Sequence, residues 1–289
     1  MRLRGGGRFI EGPDGPLAVV LWEPPEGVSP TFAALYVPPF GEEINKSRRM
    51  AALQARALAR RGAVVALLDL RGTGDSAGEH ADATWEGWRA DVVAAADWLR
   101  KFSQMRCALW GMRLGALLAT DVASRNRALP LSLLLWQPVH AGRVFFNQFL
   151  RLANAQQLTG RGDSGADAKA LRSALESGTP VQVAGYNLHP RLVADASQVE
   201  MATVDPPACP VVWLETSIVP DPTLSPASAT ILDRWRNAGV DVFAEVVEGP
   251  SFWATQEIAQ APNLIEATAR AHATLVSAGQ TREAQSPAR

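Results

Sequence analysis

Apolar runs and amphipathic stretches alternate along most of this chain. The apolar runs predict strands buried on both faces of a sheet, because they lack the every-second-residue alternation of half-exposed strands. They span residues 17–22, 32–37, 63–68, 105–110, 131–136, 211–214 and 240–247. The stretches between them repeat apolar residues every three or four positions and predict helices at 47–60, 84–101, 114–126, 225–238 and 263–277. The alternation predicts an α/β protein with a mostly parallel, doubly wound sheet.

The strand and helix rhythm stops between residues 136 and 211. About seventy residues are too many for a simple connection, so we expect an inserted cap at 137–210 and a core domain formed by residues 1–136 and 211–278. Within the cap, residues 143–154 and 166–175 predict helices and residues 180–188 a short hairpin strand. The polar tail, 279–289, is expected to be disordered.

The segment LWGMRLGA, residues 109–116, joins a predicted strand to a predicted helix through two glycines, Gly111 and Gly115. Serine hydrolases of the α/β-hydrolase fold present their nucleophile at the centre of such a turn, in the pattern Gly-x-Ser-x-Gly. We therefore expect an α/β-hydrolase fold with this segment as the elbow. Arg113 stands at its centre, and a guanidinium stays protonated and cannot attack a carbonyl.

The rest of a catalytic triad is incomplete in the sequence. The fold places an acid after a late strand and a histidine after the last strand. Glu215 suits the acid position, whereas residues 249–253 hold no histidine. The four histidines lie elsewhere, at positions 80, 140, 189 and 272, and we expect structural or surface roles for the last three.

Two serines are candidates for a displaced nucleophile. Ser76 lies in a Gly-Asp-Ser-Ala-Gly turn that follows a predicted strand, a position where a structural role in the loop is the simpler expectation. Ser251 follows the last predicted strand, but no base for it is visible in the sequence. Neither serine restores a standard triad.

What the sequence does retain is a cradle for an anion. The backbone N–H groups of Leu114, at the start of the elbow helix, and of Phe40 or Gly41, after the second predicted strand, are the fold's usual oxyanion donors. Arg113 adds a forked donor suited to carboxylate or phosphate, and Trp253 is placed to line the same crevice. We therefore predict a pocket that binds an anionic group.

The alternative is that Arg113 is neutralised inside the protein. Glu42, Glu43 and Glu215 are the candidate partners, because a buried unpaired charge is costly. Both arrangements can hold at once. No Cys/His cluster predicts a metal, and the Gly72-Thr73-Gly74 run lacks the spacing of a phosphate loop, so we expect no cofactor.

Composition restricts the partners. The 28 basic and 29 acidic residues give a formal net charge of −1, so no general field attracts nucleic acid. The basic start has no apolar segment behind it, and no stretch approaches the ~20 apolar residues of a membrane span. We expect a cytoplasmic protein with its two cysteines reduced.

Several segments together resemble the exosortase A system-associated hydrolase 2 family of bacterial α/β-hydrolase-fold proteins. The resemblance spans nearly the whole chain in order and includes the predicted cap. Its segments are VPPFGEEINKSRRMAALQARALA (37–59), DLRGTGDSAGEHADATWEGW (69–88), LWGMRLGALLA (109–119), LLLWQPV (133–139), NQFLRL (147–152), VAGYNL (183–188) and FWATQEI (252–258).

The resemblance implies a setting beside the machinery that sorts PEP-CTERM proteins to the cell surface and makes exopolysaccharide. The family name implies hydrolysis. The Pro-Pro-Phe-Gly-Glu-Glu run that ends at Glu43 stands where the fold usually has a His-Gly oxyanion signature.

Three functions are therefore open. The chain can be a hydrolase-like pseudoenzyme that binds a small anionic or acyl ligand, or a protein partner, in that system. It can be a true ester or thioester hydrolase with an atypical constellation of Arg113, Glu215, Glu42 or Glu43, and Ser76. It can be a scaffold whose cap and Trp253 face another protein.

Overall fold

A computed structural model of the protein describes residues 3–129, 132–158 and 167–277. The strands in these ranges are β1 (Arg4–Gly12), β2 (Gly15–Glu23), β3 (Phe32–Val37), β4 (Ala63–Leu68), β5 (Cys107–Met112), β6 (Leu133–Trp136), β7 (Val181–Val183), β8 (Tyr186–Leu188), β9 (Val211–Ser217) and β10 (Val242–Glu248). The helices are α1 (Glu42–Ala59), α2 (Trp85–Ser103), α3 (Leu114–Arg125), α4 (Gly142–Leu158), α5 (Ala168–Glu176), α6 (Pro190–Ser197), α7 (Pro226–Asn237), α8 (Pro262–Arg270) and α9 (His272–Ser277). A single 3-10 turn lies at His80–Asp82.

One eight-stranded sheet organises the molecule, in the order β1-β2-β4-β3-β5-β6-β9-β10. β2 runs antiparallel to β1 and β4, and the neighbours from β4 to β10 pair in parallel. Every residue of β3, β5 and β6 is buried, as expected of strands covered on both faces. The sheet and its helices form an α/β-hydrolase fold, as the strand pattern and the elbow predicted.

Two apolar cores cover the two faces of the sheet. One contains the inward side chains of α2, α3 and α7, together with residues of the segment between β6 and β9. The other contains those of α1, α8 and α9. Because the parallel strands all end at the same edge, the loops that follow β3, β5, β9 and β10 meet there.

The insert, residues 137–210, contains α4, α5, the β7–β8 hairpin and α6 in its described part. Its own apolar side chains, among them Phe146, Leu150 and Leu192, join the core beneath it. The strand and helix alternation of the rest of the chain does not continue through the described part of the insert. The predicted tail, 279–289, lies outside the described residues.

Several elements differ from the sequence prediction; α6, for example, was not predicted. β1 was not predicted, because its run of three glycines has no apolar periodicity; it is mostly exposed and is defined by its register with β2. α1 begins at Glu42, five positions before the predicted start at Ser47. The predicted helix 263–277 is divided by Ala271 into α8 and α9.

None of the helices within the described ranges combines the length and the hydropathy that crossing a membrane requires.

Candidate functional site

The elbow between β5 and α3 has the backbone geometry of a nucleophile turn. Arg113 has φ 54° and ψ −120°, a conformation that is costly for a residue with a side chain. The flanking glycines permit this bend. A Cβ atom on Gly111 would lie 2.5 Å from the Cα of Ala116, and one on Gly115 would overlap the carbonyl oxygen of Pro38. The turn therefore has the shape that presents a catalytic serine, with a cation in its place.

The Arg113 guanidinium has two contacts across the crevice. Its Nε donates a hydrogen bond to Oε1 of Glu43 at 3.1 Å. Its Cζ lies 5.3 Å from the centre of the Trp253 ring, a cation–π distance. Within the described residues, the bond to Glu43 is the only hydrogen bond of this guanidinium. The two terminal nitrogens therefore keep donors available on a side chain that is 20% exposed.

Glu43 is a carboxylate in a poorly solvated position. Burial raises its pKa, and the positive charge of Arg113, with a smaller effect of Lys46, acts in the opposite direction. Its Oε2 atom is buried and has no hydrogen-bond partner within the described residues. Buried carboxylate oxygens are normally satisfied, so this atom is available to a donor that enters the site.

The loop after β10 supplies Trp253 where the fold usually has its histidine. The ring is 7% exposed and packs edge-on against Phe252 at 5.1 Å. Ser251, the second candidate serine in the sequence, is exposed and contributes its carbonyl to a turn with Ala254. The indole ring of Trp253, rather than an imidazole, therefore faces the elbow residue.

A cavity of about 170 Å³ adjoins the ion pair. Its charged side is Arg113 with Glu43 and the exposed Glu42, and its apolar side includes Phe40, Phe145, Phe149 and Leu152. Of the predicted binding residues, the cavity thus brings Phe40, Glu42, Glu43 and Arg113 together, whereas Gly41, Leu114 and Trp253 do not line it. α4 of the insert supplies apolar walls that the analysis did not name.

The predicted oxyanion donors belong to buried residues. Leu114 is 2% exposed and Phe40 is 3% exposed, and Gly41 is buried as well. The N–H of Leu114 is the first of α3 and has no partner within the helix. The Phe40 side chain lies in a cluster of aromatic rings at centroid distances between 5.1 and 6.2 Å, from His80, Trp88, Phe145, Phe146, Phe149 and Tyr186.

Of the three acids considered for Arg113, Glu43 makes the contact. Glu42 instead accepts hydrogen bonds from Asn45 and from the Tyr186 hydroxyl of the insert. Glu215 lies within β9, which extends to Ser217, and its Oε1 accepts from Trp213 Nε1 and from Ser228 Oγ, each at 2.6 Å. Glu215, the third of these candidates, does not contact the elbow residue, because its side chain is held by groups of β9 and α7.

His140 and Ser228 form a cluster with Glu215 that the sequence analysis missed. The Nε2 atom of His140 lies 3.1 Å from Ser228 Oγ. The serine hydroxyl donates to Glu215, so its oxygen accepts from the imidazole, the reverse of the direction that activates a nucleophile. Ser228 is also only 1% exposed. The proximity of Ser225 and Ser228, a helix-capping pair, was the available signal.

Ser76 has a structural role in the loop after β4. Its Oγ accepts from the N–H of Ala18 at 2.8 Å and donates to the carbonyl of Asp69 at 2.5 Å, and the residue is 9% exposed. A hydroxyl used in this way links β2 to the loop. Its use as a displaced nucleophile is therefore not supported. Within the described residues, no group of three or more His, Cys, Asp or Glu side chains has the arrangement of a metal site.

Comparison with known proteins gives the family of this chain. The model of a family described as serine aminopeptidase, S33, matches residues 43–196. A comparison with curated proteins gives no match.

Several solved structures share the fold. Est1E from Butyrivibrio proteoclasticus, solved with ferulic acid bound, has a TM-score of 0.66 at 17% identity, over 93% of this chain and 99% of that one. A thermostable carboxyl esterase from Bacillus coagulans, in complex with glycerol, has a TM-score of 0.61 at 14% identity, over 96% and 100%. XC6422 from Xanthomonas campestris, a serine hydrolase without a lid, has a TM-score of 0.55 at 18% identity, over 95% and 94%.

Proposed function

The chain belongs to the serine aminopeptidase S33 family of α/β hydrolases, and from that premise we propose that its elbow pocket binds a small acyl ligand with a carboxylate end. The observation that carries the proposal is Arg113 at the centre of an intact elbow. Apart from its bond to Glu43, the guanidinium donates to none of the described residues. A cation in the nucleophile's position holds an anion and attacks nothing. We also propose that the protein has no working Ser-His-acid triad.

Charge and shape both favour a carboxylate with a short apolar tail. The two terminal nitrogens of Arg113 match the two oxygens of a carboxylate, and the start of α3 adds the positive end of a helix. Phe145, Phe149 and Leu152 offer the tail an apolar wall. The volume of about 170 Å³ is below the roughly 300–1,000 Å³ of pockets for drug-sized ligands, so the tail is short.

The resemblance to the exosortase-associated family adds a biological setting. We place the protein in the cytoplasm of a bacterium that sorts PEP-CTERM proteins and makes exopolysaccharide, where the ligand is an acyl acid of that system. We also propose that the insert acts as a cap, because α4 contributes the apolar wall of the elbow pocket.

The test is a binding series of straight-chain alkanoates against the matching alkanols, measured by calorimetry. Each methylene that enters the pocket should add about 0.8 kcal/mol, or about fourfold in affinity, until the pocket is full. Arg113→Gln should weaken alkanoates about tenfold or more, since a hydrogen bond to a charged group is lost. Alkanols should be affected little.

Arg60→Gln is the matched control, because Arg60 is an exposed arginine on the far end of α1. Folding of each variant is checked by circular dichroism. Equal alkanoate binding by the wild type and a folded Arg113→Gln variant would exclude the ligand role of Arg113.

A second function is favoured by one observation, the buried and unpartnered Oε2 of Glu43. A carboxylate with a raised pKa beside a cation can accept a proton from water while the cation stabilises the developing oxyanion. Hydrolysis of a p-nitrophenyl butyrate ester that Glu43→Gln abolishes, without labelling by a serine-directed fluorophosphonate, would support this function. Labelling at Ser76, Ser228 or Ser251 would contradict both.

A further inference from the structure

A second cavity lies between α1 and the sheet and is separate from the elbow pocket. Its volume is about 220 Å³, larger than that of the elbow pocket, and the two cavities share no lining residue. The walls come from β2, β3 and β4 on one side and from α1 on the other. Nothing in the proposed function uses this space.

The body of the cavity is mostly apolar. Val20 and Trp22 of β2 and Leu67 of β4 form the sheet side, and the small Ala51 and Ala52 of α1 leave the gap above them. Val20 pairs with Leu67 in the strand register. Asp69 lies at the level of Ala18 of β2, because its N–H donates a hydrogen bond to the Ala18 carbonyl. About four residues of β2, or about 13 Å, therefore separate Asp69 from the level of Trp22.

The polar groups lie at the Asp69 end, where the contact between the two opposite charges is long. Arg48 Nη2 is 3.7 Å from Asp69 Oδ1, too long for a hydrogen bond. The buried hydroxyl of Tyr36, whose residue pairs with Leu67, donates to the thioether sulfur of Met112 at 3.6 Å, and sulfur is a poor acceptor. The other oxygen of Asp69, Oδ2, accepts a hydrogen bond from the N–H of Asp75 at 3.1 Å, and burial raises the pKa of this carboxyl.

We propose that this cavity is a second ligand site, which binds a straight-chain, uncharged alcohol with its hydroxyl between Arg48 and Asp69. The hydroxyl donates to the carboxylate and accepts from the guanidinium, so that both charges gain a hydrogen bond that their direct contact lacks. The chain lies along Leu67, Val20 and Trp22. A carboxylate in this place would face Asp69, and an ammonium would face Arg48, so the complementary head group is neutral.

The test uses 1-octanol as the probe and calorimetry as the readout, with the full chain. Ala52→Leu fills the cavity and should abolish octanol binding. Ala57→Leu is the matched control, because it makes the same change on the same helix outside the cavity lining, and it should bind as the wild type does. Arg48→Ala, a change at an exposed side chain, should weaken octanol about fivefold and leave octanoate binding at the elbow unchanged.

Octanol that binds the folded Ala52→Leu variant with wild-type affinity would overturn the proposal. So would an Arg48→Ala variant with unchanged octanol affinity. Arg113→Gln separates the two sites, because it should weaken octanoate and leave octanol unaffected. The failure of one site is thus distinguishable from the failure of the other.

Discussion

At the scale of single residues, the elbow shows what a sequence can and cannot predict. Arg113 at the centre of Gly-x-x-x-Gly was sufficient to predict a cation in the nucleophile's position. Which carboxylate pairs with it was not predictable, because α1 begins at Glu42 rather than at Ser47. That start turns Glu43 toward Arg113 and Glu42 toward Tyr186 of the insert.

Glu43 should make alkanoate binding depend on pH. Its pKa is raised by burial, so it takes up a proton at a higher pH than an ordinary glutamate and, as the pH falls, stops competing for Arg113. Affinity should therefore rise on acidification, as long as the ligand itself is ionised. The pH dependence should be absent in Glu43→Gln. Calorimetric titrations of both proteins at pH 8, 7 and 5.5 check this, and equal slopes would contradict it.

His140 should contribute to a loss of stability in acid. Burial lowers its pKa, while the charge of Glu215 acts in the opposite direction. The unfolded chain therefore binds this proton more readily than the native state, so stability falls as pH decreases below the unfolded value of about 6.5. His140→Asn should reduce the difference in unfolding free energy between pH 7.5 and pH 5, measured with urea. The wild-type protein, unfolded at the same two pH values, is the reference.

At the scale of elements, buried strands were predictable because each is apolar throughout, and β3 and β4 have the predicted bounds. β1 was not predictable, because its glycines show no pattern of apolar and polar residues and the strand depends on pairing with β2. The elbow depends instead on close approach of backbones. α3 meets the end of β3 at Gly115, where no side chain fits.

Gly115→Ala should destabilise the fold by about 2 kcal/mol or more, because a methyl group overlaps the Pro38 carbonyl and the backbones of both elements must separate. Gly6→Ala in β1 is the control, since a Cβ there meets no atom within 4 Å. Urea unfolding measures both. A Gly115→Ala variant as stable as Gly6→Ala would show that α3 shifts without cost.

At the scale of the whole molecule, the order of strands and helices was sufficient to predict the fold. The contact between insert and core was not predictable, because it depends on side chains more than a hundred positions apart. Phe40 is its centre, with rings of the core and of the insert around it. His80 adds a hydrogen-bonding contact to the backbone of Asn187 in the hairpin.

Phe40→Ala should cost about 3–5 kcal/mol and loosen the insert, because a buried ring between the two parts is lost. Limited proteolysis should then cut the insert faster than the core. Phe102→Ala, at a side chain that is 38% exposed, should have a small effect on either measurement. Cleavage of Phe40→Ala at wild-type sites and rates would show that the rings do not hold the insert.

The two glycines of the elbow have a further consequence. They permit the bend whatever side chain stands between them, so the same backbone at position 113 can carry a base, a nucleophile or a cation. A replacement at this point changes the chemistry that the turn can offer, with no redesign of the sheet. Proteins of this architecture can therefore diverge in chemistry long before they diverge in shape.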